Sequence, residues 1–506
     1  MLFSSYEFVF VFLPIMFLGY FYLISKRLLV GSKVWLVAGS LFFYAWWDSV
    51  YLPIILGSMF VNYAVGTGLG NFHGKALRLA ESGSARVHAN HQFSRKAILT
   101  FGVLLNLALL GYYKYTDFFI ENFNGMFGGS VPLLHIVLPL GISFFTFQQI
   151  AYLVDSYHGK TKEYDLLNYM LFITFFPQLI AGPIVHHKEL MPQFESRWNL
   201  GKRYRNIALG LLIFSIGLFK KVIIADAFAG WASPGFDVAE ALSLFQAWTT
   251  SLSYTFQLYF DFSGYADMAI GAALLFNIRL PINFNSPYKA ISIQDFWRRW
   301  HMTLSSFLRD YVYIPLGGNR EGSTRTYVNL FATFLIGGFW HGASWMFIIW
   351  GALHGAALIV HRLWQQLGFR LWKWLAWLVT FNFINITWVF FRAKEMDDAL
   401  KVLAGMIAFE DVSIKMASIP TKDLAWLGIM ADRLATVMPA AAVPVVSQMA
   451  LIVCAFVLIS FGNTSQRYTS GRAVNAIELF SAAILSALAI TFTLNSTSQV
   501  FLYFNF

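Results

Sequence analysis

The feature that most limits what this chain can become is its succession of long apolar runs, repeated from Phe8 almost to the C-terminus. A span needs about 20 apolar residues to cross about 30 Å of hydrocarbon. Inside the bilayer the backbone must satisfy its own hydrogen bonds, so such runs fold as packed helices. Candidate runs lie near 8–24, 34–47, 51–70, 97–120, 132–155, 166–185, 206–229, 241–281, 326–343, 345–362, 374–391, 445–462 and 473–495. Several are short or interrupted, and 241–281 is too long for one simple span. The expected fold is all-α integral membrane, with about ten to twelve transmembrane helices. No internal repeat or long linker divides the sequence, so a single domain over 1–506 is expected.

Composition agrees with a lipid solvent, at 58% hydrophobic and 12% charged residues. The net charge of +10 sits in short connections between apolar runs, not in a groove-sized patch, which excludes nucleic acid as a partner. Those cations also set orientation, because short cytoplasmic loops are enriched in Lys and Arg. Lys26, Arg27 and Lys33, then Lys75 to Lys96, then Lys289 to Arg325, are expected in the cytoplasm. Glu121 to Ser130, Trp231 to Glu240 and Thr493 to Phe506 carry no Lys or Arg and are expected outside. Leu166 to Val185 has cations on both flanks and contains Pro177, Gly182 and Pro183, so it is expected to re-enter the membrane without crossing it. Irregular backbone at that depth requires protein or a water-filled cavity around it. Phe8 to Ile24 reads as a retained first span, and Cys454, the only cysteine, as a small buried hydrophobe.

Three constellations can carry chemistry. Ser292 to Asp310 opens with Ser292 and Asp295 at capping-box spacing and is expected to continue as one amphipathic helix. Arg298, His301, Ser305 and Arg309 then form a polar stripe, either a solvated face or a cationic surface for a phosphate, with Arg299 beside it and Arg320 beyond Gly317-Gly318. The second constellation is Gly337-Gly-Phe-Trp-His341-Gly342, with Trp345 following. An ionisable residue inside an apolar run is costly and marks a functional site. Glycines allow close approach of a backbone or substrate, Trp340 and Trp345 can wall a tunnel, and a low dielectric favours the neutral imidazole that accepts a proton. The competing reading is a histidine that bonds a neighbouring helix. His354 would lie about 20 Å away along a continuous helix, outside that site unless the chain bends back. The third constellation, Asp261 and Asp267, reads as structural, pairing with arginines of the following loop. There is no phosphate-binding glycine loop, dinucleotide fingerprint, nucleophile elbow or zinc-protease pattern, so no metal is expected.

At Phe296-Trp-Arg-Arg-Trp-His301, Arg309-Asp310, Pro315-Leu-Gly-Gly-Asn319, Phe339-Trp-His341-Gly342 and Trp350-Gly-Ala-Leu-His354-Gly355, the sequence resembles the membrane-bound O-acyltransferase superfamily, in its bacterial AlgI-like branch. The resemblance implies a ring of helices with re-entrant segments around a central funnel, His341 as the essential catalytic residue and His301 as a second important one. It implies acyl-CoA as the donor, or an acyl carrier protein in the D-alanylating relatives, and an extracytoplasmic SGNH-type partner enzyme that completes transfer; with acetyl-CoA as the expected donor, Arg298, Arg299, Arg309 and Arg320 are the residues expected to receive its phosphates. The tail Val500-Phe-Leu-Tyr503-Phe-Asn-Phe506 matches an ending whose tyrosine is thought to hold the acyl group in related systems, although an interfacial anchor is its plainer role. The expected activity is O-acetylation of an extracytoplasmic polysaccharide, alginate-like exopolysaccharide first, from the bacterial inner membrane. The alternatives are peptidoglycan O-acetylation, D-alanyl transfer to teichoic acid and, outside enzymes, a multi-spanning transporter.

Overall fold

A computed structural model describes residues 1–81, 85–161, 165–411, 433, 435–436, 443–462, 468, 475–495 and 501–502, with backbone alone at 72–81, 85–92, 444 and 494–495. Among the described residues the structure is helical and contains no strand. Among the described residues, seven helices are long and apolar enough to cross a membrane: Glu7–Ser25, Ser49–Asn71, Phe93–Phe127, Tyr204–Asp237, Trp345–Gln366, Lys373–Arg392 and Ala476–Thr493. Leu29–Ala45 and Val445–Phe461 are shorter apolar helices. Their outer surfaces carry large hydrophobics such as Phe10, Leu18, Phe101, Leu104, Val360 and Phe480, which suits lipid as the surrounding medium.

The chain divides into two compact units, Met1–Gly210 with Ala269–Pro281, and Leu211–Met268 with Ile282–Phe506. The first holds α1 (Leu13–Ser25), α2 (Leu29–Ala45), α3 (Leu52–Glu81), α4 (Ala85–Phe127), α5 (Ile142–Tyr157), α6 (Leu166–Thr174), α7 (Phe176–Leu179) and α8 (His187–Glu195). The apolar run expected from 132 becomes helical only at Ile142, after a left-handed turn at Gly141. The run 166–185 breaks at Phe175, where ψ is 107°, and Pro177 opens the next turn. Two side chains meet the groups freed by this break. The Ser40 hydroxyl accepts from the Phe176 amide at 3.1 Å, and the Gln178 amide donates to the Phe172 carbonyl at 2.6 Å. A second buried set ties α3, α4 and α5 together: Asn62 donates to Asn106 at 3.1 Å and to Gln149 at 2.9 Å, and Ser58 donates to Gln149 at 2.7 Å. In lipid, where apolar burial does not separate helix from helix, each such bond contributes about 1 kcal/mol.

The second unit contains most of α9 (Tyr204–Phe219), a π-turn at Lys220–Ala225, α10 (Asp226–Asp237) and much of α11 (Leu244–Leu275), whose last turns belong to the first unit. The stretch expected at 241–281 is thus one helix of 32 residues, about 48 Å long. It escapes the count of apolar spans because Asp261, Asp267, Gln257 and several Ser and Thr residues on it are buried in protein. Then come α12 (Ile293–Trp297), α13 (Met302–Leu308), α14 (Ser323–His341), α15 (Trp345–Gln366), α16 (Lys373–Arg392), α17 (Met396–Gly405), α18 (Val443–Phe461) and α19 (Ala476–Asn495). Cys454 lies on the exposed face of α18, not buried as expected.

The α14–α15 pair positions the candidate site. Gly342 leaves the helix in extended conformation, and the Ser344 hydroxyl caps α15 by accepting from the Met346 amide. The chain therefore reverses over three residues, and the two helices pack backbone against backbone. A Cβ at Gly338 would stand 2.3 Å from the Phe347 carbonyl oxygen, and one at Gly351 would stand 2.4 Å from that of Phe334. Only glycine permits this spacing.

Candidate active site

His341 is the last residue of α14 and is 4% exposed. Rings enclose it: Trp340 at 4.9 Å, Trp350 edge-on at 5.1 Å, Phe391 at 5.1 Å and Phe347 at 6.5 Å between centroids. Of the two tryptophans expected to wall it, Trp340 is buried but Trp345 is 55% exposed. The reversal after His341 also changes the place of His354. It packs on the same indole, with Trp350 at 4.7 Å from His354 and 5.1 Å from His341. The continuous-helix separation of about 20 Å does not apply, because the helix ends at His341.

His354 is fully buried and both ring nitrogens are used. The Trp297 indole N–H donates to Nδ1 at 3.2 Å, which places the proton on Nε2, and Nε2 donates to the Thr387 hydroxyl at 3.1 Å. The Thr387 hydroxyl in turn donates to the Ile384 carbonyl at 2.9 Å. His354 is thus a neutral structural pin joining α12, α15 and α16, and has no lone pair to offer a reaction.

His301 does not lie on a helical stripe. The helix expected over 292–310 breaks after Trp297, and His301 adopts a left-handed conformation at φ 41° before α13 begins. Arg298 and Arg309 remain exposed while His301 is turned inward to 0% exposure. Asn283 holds the break. Its carbonyl oxygen Oδ1 lies 3.3 Å from the Thr303 backbone N–H, 2.9 Å from the Thr303 hydroxyl and 3.1 Å from His301 Nδ1, and its backbone carbonyl accepts from the Met302 amide. A backbone N–H can only donate, so this oxygen is an acceptor and His301 Nδ1 carries the ring proton, leaving the lone pair on Nε2. Burial pushes the His301 imidazole down to about 3. Between the two histidines runs a continuous wall of indoles, with Trp350 5.7 Å from Trp388 and Trp388 5.0 Å from Trp300.

Two of the four candidate arginines are held in ion pairs. Arg299 pairs with Asp295 at 2.8 Å and donates to the Asn285 carbonyl, and Arg309 makes two bonds to its neighbour Asp310 at 2.7 and 3.0 Å. Arg298 and Arg320 are exposed. Asp261 and Asp267 are buried and paired, but with lysines of the preceding π-turn, not with arginines: Lys221 Nζ lies 2.7 Å from Asp261 and 2.8 Å from Asp226, and Lys220 lies 2.7 Å from Asp267. The signal was present, because adjacent lysines inside one apolar run require carboxylates in another. Asp261 also accepts from the Leu502 amide at 3.0 Å, while Phe501 stacks on Tyr265 at 4.3 Å and meets Phe262 at 5.9 Å. Phe262 in turn meets His301 edge-on at 4.8 Å. The tail is therefore anchored one ring away from His301; Tyr503 itself lies outside the described residues.

Fold and site together define a multi-spanning helical membrane protein that encloses histidines in an aromatic wall. The model of the membrane-bound O-acyltransferase family matches residues 156–394. A "Peptidoglycan O-acetyltransferase" of Helicobacter pylori is 49% identical over all of this chain and 98% of its own length. A "Probable alginate O-acetylase AlgI" of Pseudomonas aeruginosa is 42% identical over 81% of this chain and 75% of its own. A "Teichoic acid D-alanyltransferase" of Streptococcus thermophilus is 31% identical over 47% of this chain and 59% of its own. The chain belongs to the membrane-bound O-acyltransferase family, in its AlgI-like bacterial branch, and is an acyltransferase.

Proposed function

We propose that this acyltransferase takes acetyl from acetyl-CoA at the cytoplasmic face of the bacterial inner membrane and passes it outward for O-acetylation of a polysaccharide, with peptidoglycan as the acceptor. The observation that carries the reading is His341 at the tip of the α14–α15 reversal, caged by Trp340, Trp350 and Phe391, in a chain of this family. The relative named for peptidoglycan matches end to end, whereas those named for alginate match 81 or 82% of the chain, so an alginate-like exopolysaccharide is the second reading. D-alanyl transfer ranks below both, because that match spans about half the chain.

In the reaction, a hydroxyl oxygen attacks the thioester carbonyl carbon while His341 takes its proton. The tetrahedral intermediate collapses with cleavage of the carbon–sulfur bond, and the leaving thiolate takes the proton back from the imidazolium. Tyr503 is the acceptor hydroxyl. The aryl ester formed there is activated enough to pass acetyl to the serine of an SGNH-type partner outside. His301, neutral, serves the tail side of the same path. The exposed Arg298 and Arg320 attract the donor's phosphates, with Arg299 and Arg309 held in carboxylate pairs beside them.

The test uses protein in sealed vesicles with labelled acetyl-CoA, the partner enzyme, and either peptidoglycan or alginate oligosaccharide. Label on peptidoglycan, with an acetylated C-terminal peptide when the partner is omitted, is expected. Label on alginate alone would select the second reading, and label transferred only from a D-alanyl carrier thioester would select the third.

A further inference from the structure

In the first unit, Gln193, Asn199, Arg203, Asn206, Asn277 and Arg279 line a cavity of about 370 Å³. Its walls are tied together by side-chain amides. Gln193 grips the backbone of Arg279 from both sides, accepting from its N–H at 2.8 Å and donating to its carbonyl at 3.0 Å. Asn277 sits in left-handed conformation at φ 63° and donates to the carbonyls of Asn199 at 2.9 Å and Gly201 at 2.8 Å. Asn206, buried, donates to the Asn277 carbonyl oxygen at 3.0 Å. These bonds fix the segment carrying Arg203 against the segment carrying Arg279, and both arginine side chains remain exposed at the cavity.

A rigid frame that holds two guanidinium groups on one small cavity, with no carboxylate among the described residues of its lining, accumulates like charge and is stabilised when an anion enters. The size is at the lower end for small-molecule sites, and paired guanidinium forks suit phosphate oxygens better than a single carboxylate.

From this we propose that the Arg203–Arg279 cavity binds a phosphate-bearing ligand, either a soluble phosphorylated compound or the headgroup of an anionic phospholipid. The claim does not depend on which acyl donor the enzyme uses. Two measurements on the full-length protein separate the sources. Adenosine 3′,5′-bisphosphate binding is followed calorimetrically in detergent, and retention of phosphatidylglycerol is followed by native mass spectrometry after transfer from bilayers of mixed phosphatidylglycerol and phosphatidylcholine. Each is made on the wild type, on the Arg203→Gln/Arg279→Gln double variant and on Arg203→Lys/Arg279→Lys, which keeps the charge. A loss of about tenfold or more in the Gln variant, partly restored by Lys, is expected in one arm and identifies the source. Equal binding by wild type and Gln variant in both arms, or no binding by the wild type in either, overturns the proposal. Unchanged melting of the Gln variant shows that the frame is intact, and single substitutions serve if the double variant does not fold.

Discussion

His301 and His354 are both fully enclosed, yet their ring nitrogens are engaged differently. His354 gives both to Trp297 and Thr387, so its removal strands buried partners on two helices. His354→Ala is expected to cost stability by about 1–3 kcal/mol, seen as a lower melting temperature in detergent. In His301, Nδ1 is fixed by Asn283 and burial holds the ring down to about 3, against an ordinary value of 6.5. Above pH 6.5 both folded and unfolded chains carry it neutral, with no difference in protons bound. As pH falls below 6.5 the unfolded chain takes a proton that the folded protein refuses until about 3, so stability declines with acidification. His301→Gln should therefore flatten the fall in melting temperature between pH 7.5 and 5; an unchanged slope would place the acid sensitivity elsewhere.

The α14–α15 reversal is the element on which the site depends, and its glycines are its most exposed point. Gly338→Val must displace the Phe347 carbonyl, which stands 2.3 Å from the new Cβ. A loss of about 1–3 kcal/mol and of nearly all transfer activity is expected, whereas Gly57→Ala, with nothing within 4 Å, should be silent in both assays. At the other end of the site, Phe501→Ala removes the ring stacked on Tyr265. It should leave thioester consumption measurable but slow delivery to the polymer, read by comparing free coenzyme A released with acetyl groups on the glycan. Much of this element was legible. Gly338, His341, Gly342 and His354 stand out because ionisable and side-chain-free residues interrupt an apolar run, where each needs a reason. The helix break at His301 was not legible, because spacings of three and four fit one continuous helix and the break is held by Asn283, 18 residues earlier. The pairing of Lys221 with Asp261 across 40 positions, and the place of His354 on the same indole as His341, likewise depend on tertiary contacts that periodicity does not contain.

At the scale of the whole molecule, the solvent decides the plan. Large apolar side chains face outward on the spans as well as filling the core, and buried polar residues such as Asn62, Asn106, Gln149, Asp261 and Lys221 are bonded to one another. The lipid-facing surface is legible in composition; the number of spans is less so, because α11 and α14 carry buried polar residues that lower their hydropathy. In the proposed reaction such an interior would keep water from a thioester drawn from one side while acyl is handed over on the other. The most direct test of this account is the single-turnover rate at which purified protein releases coenzyme A from acetyl-CoA, wild type against His341→Ala. A fall of about 10² to 10⁴ in the variant, with its melting temperature unchanged, is the predicted result; wild-type release by a folded His341→Ala protein would contradict it.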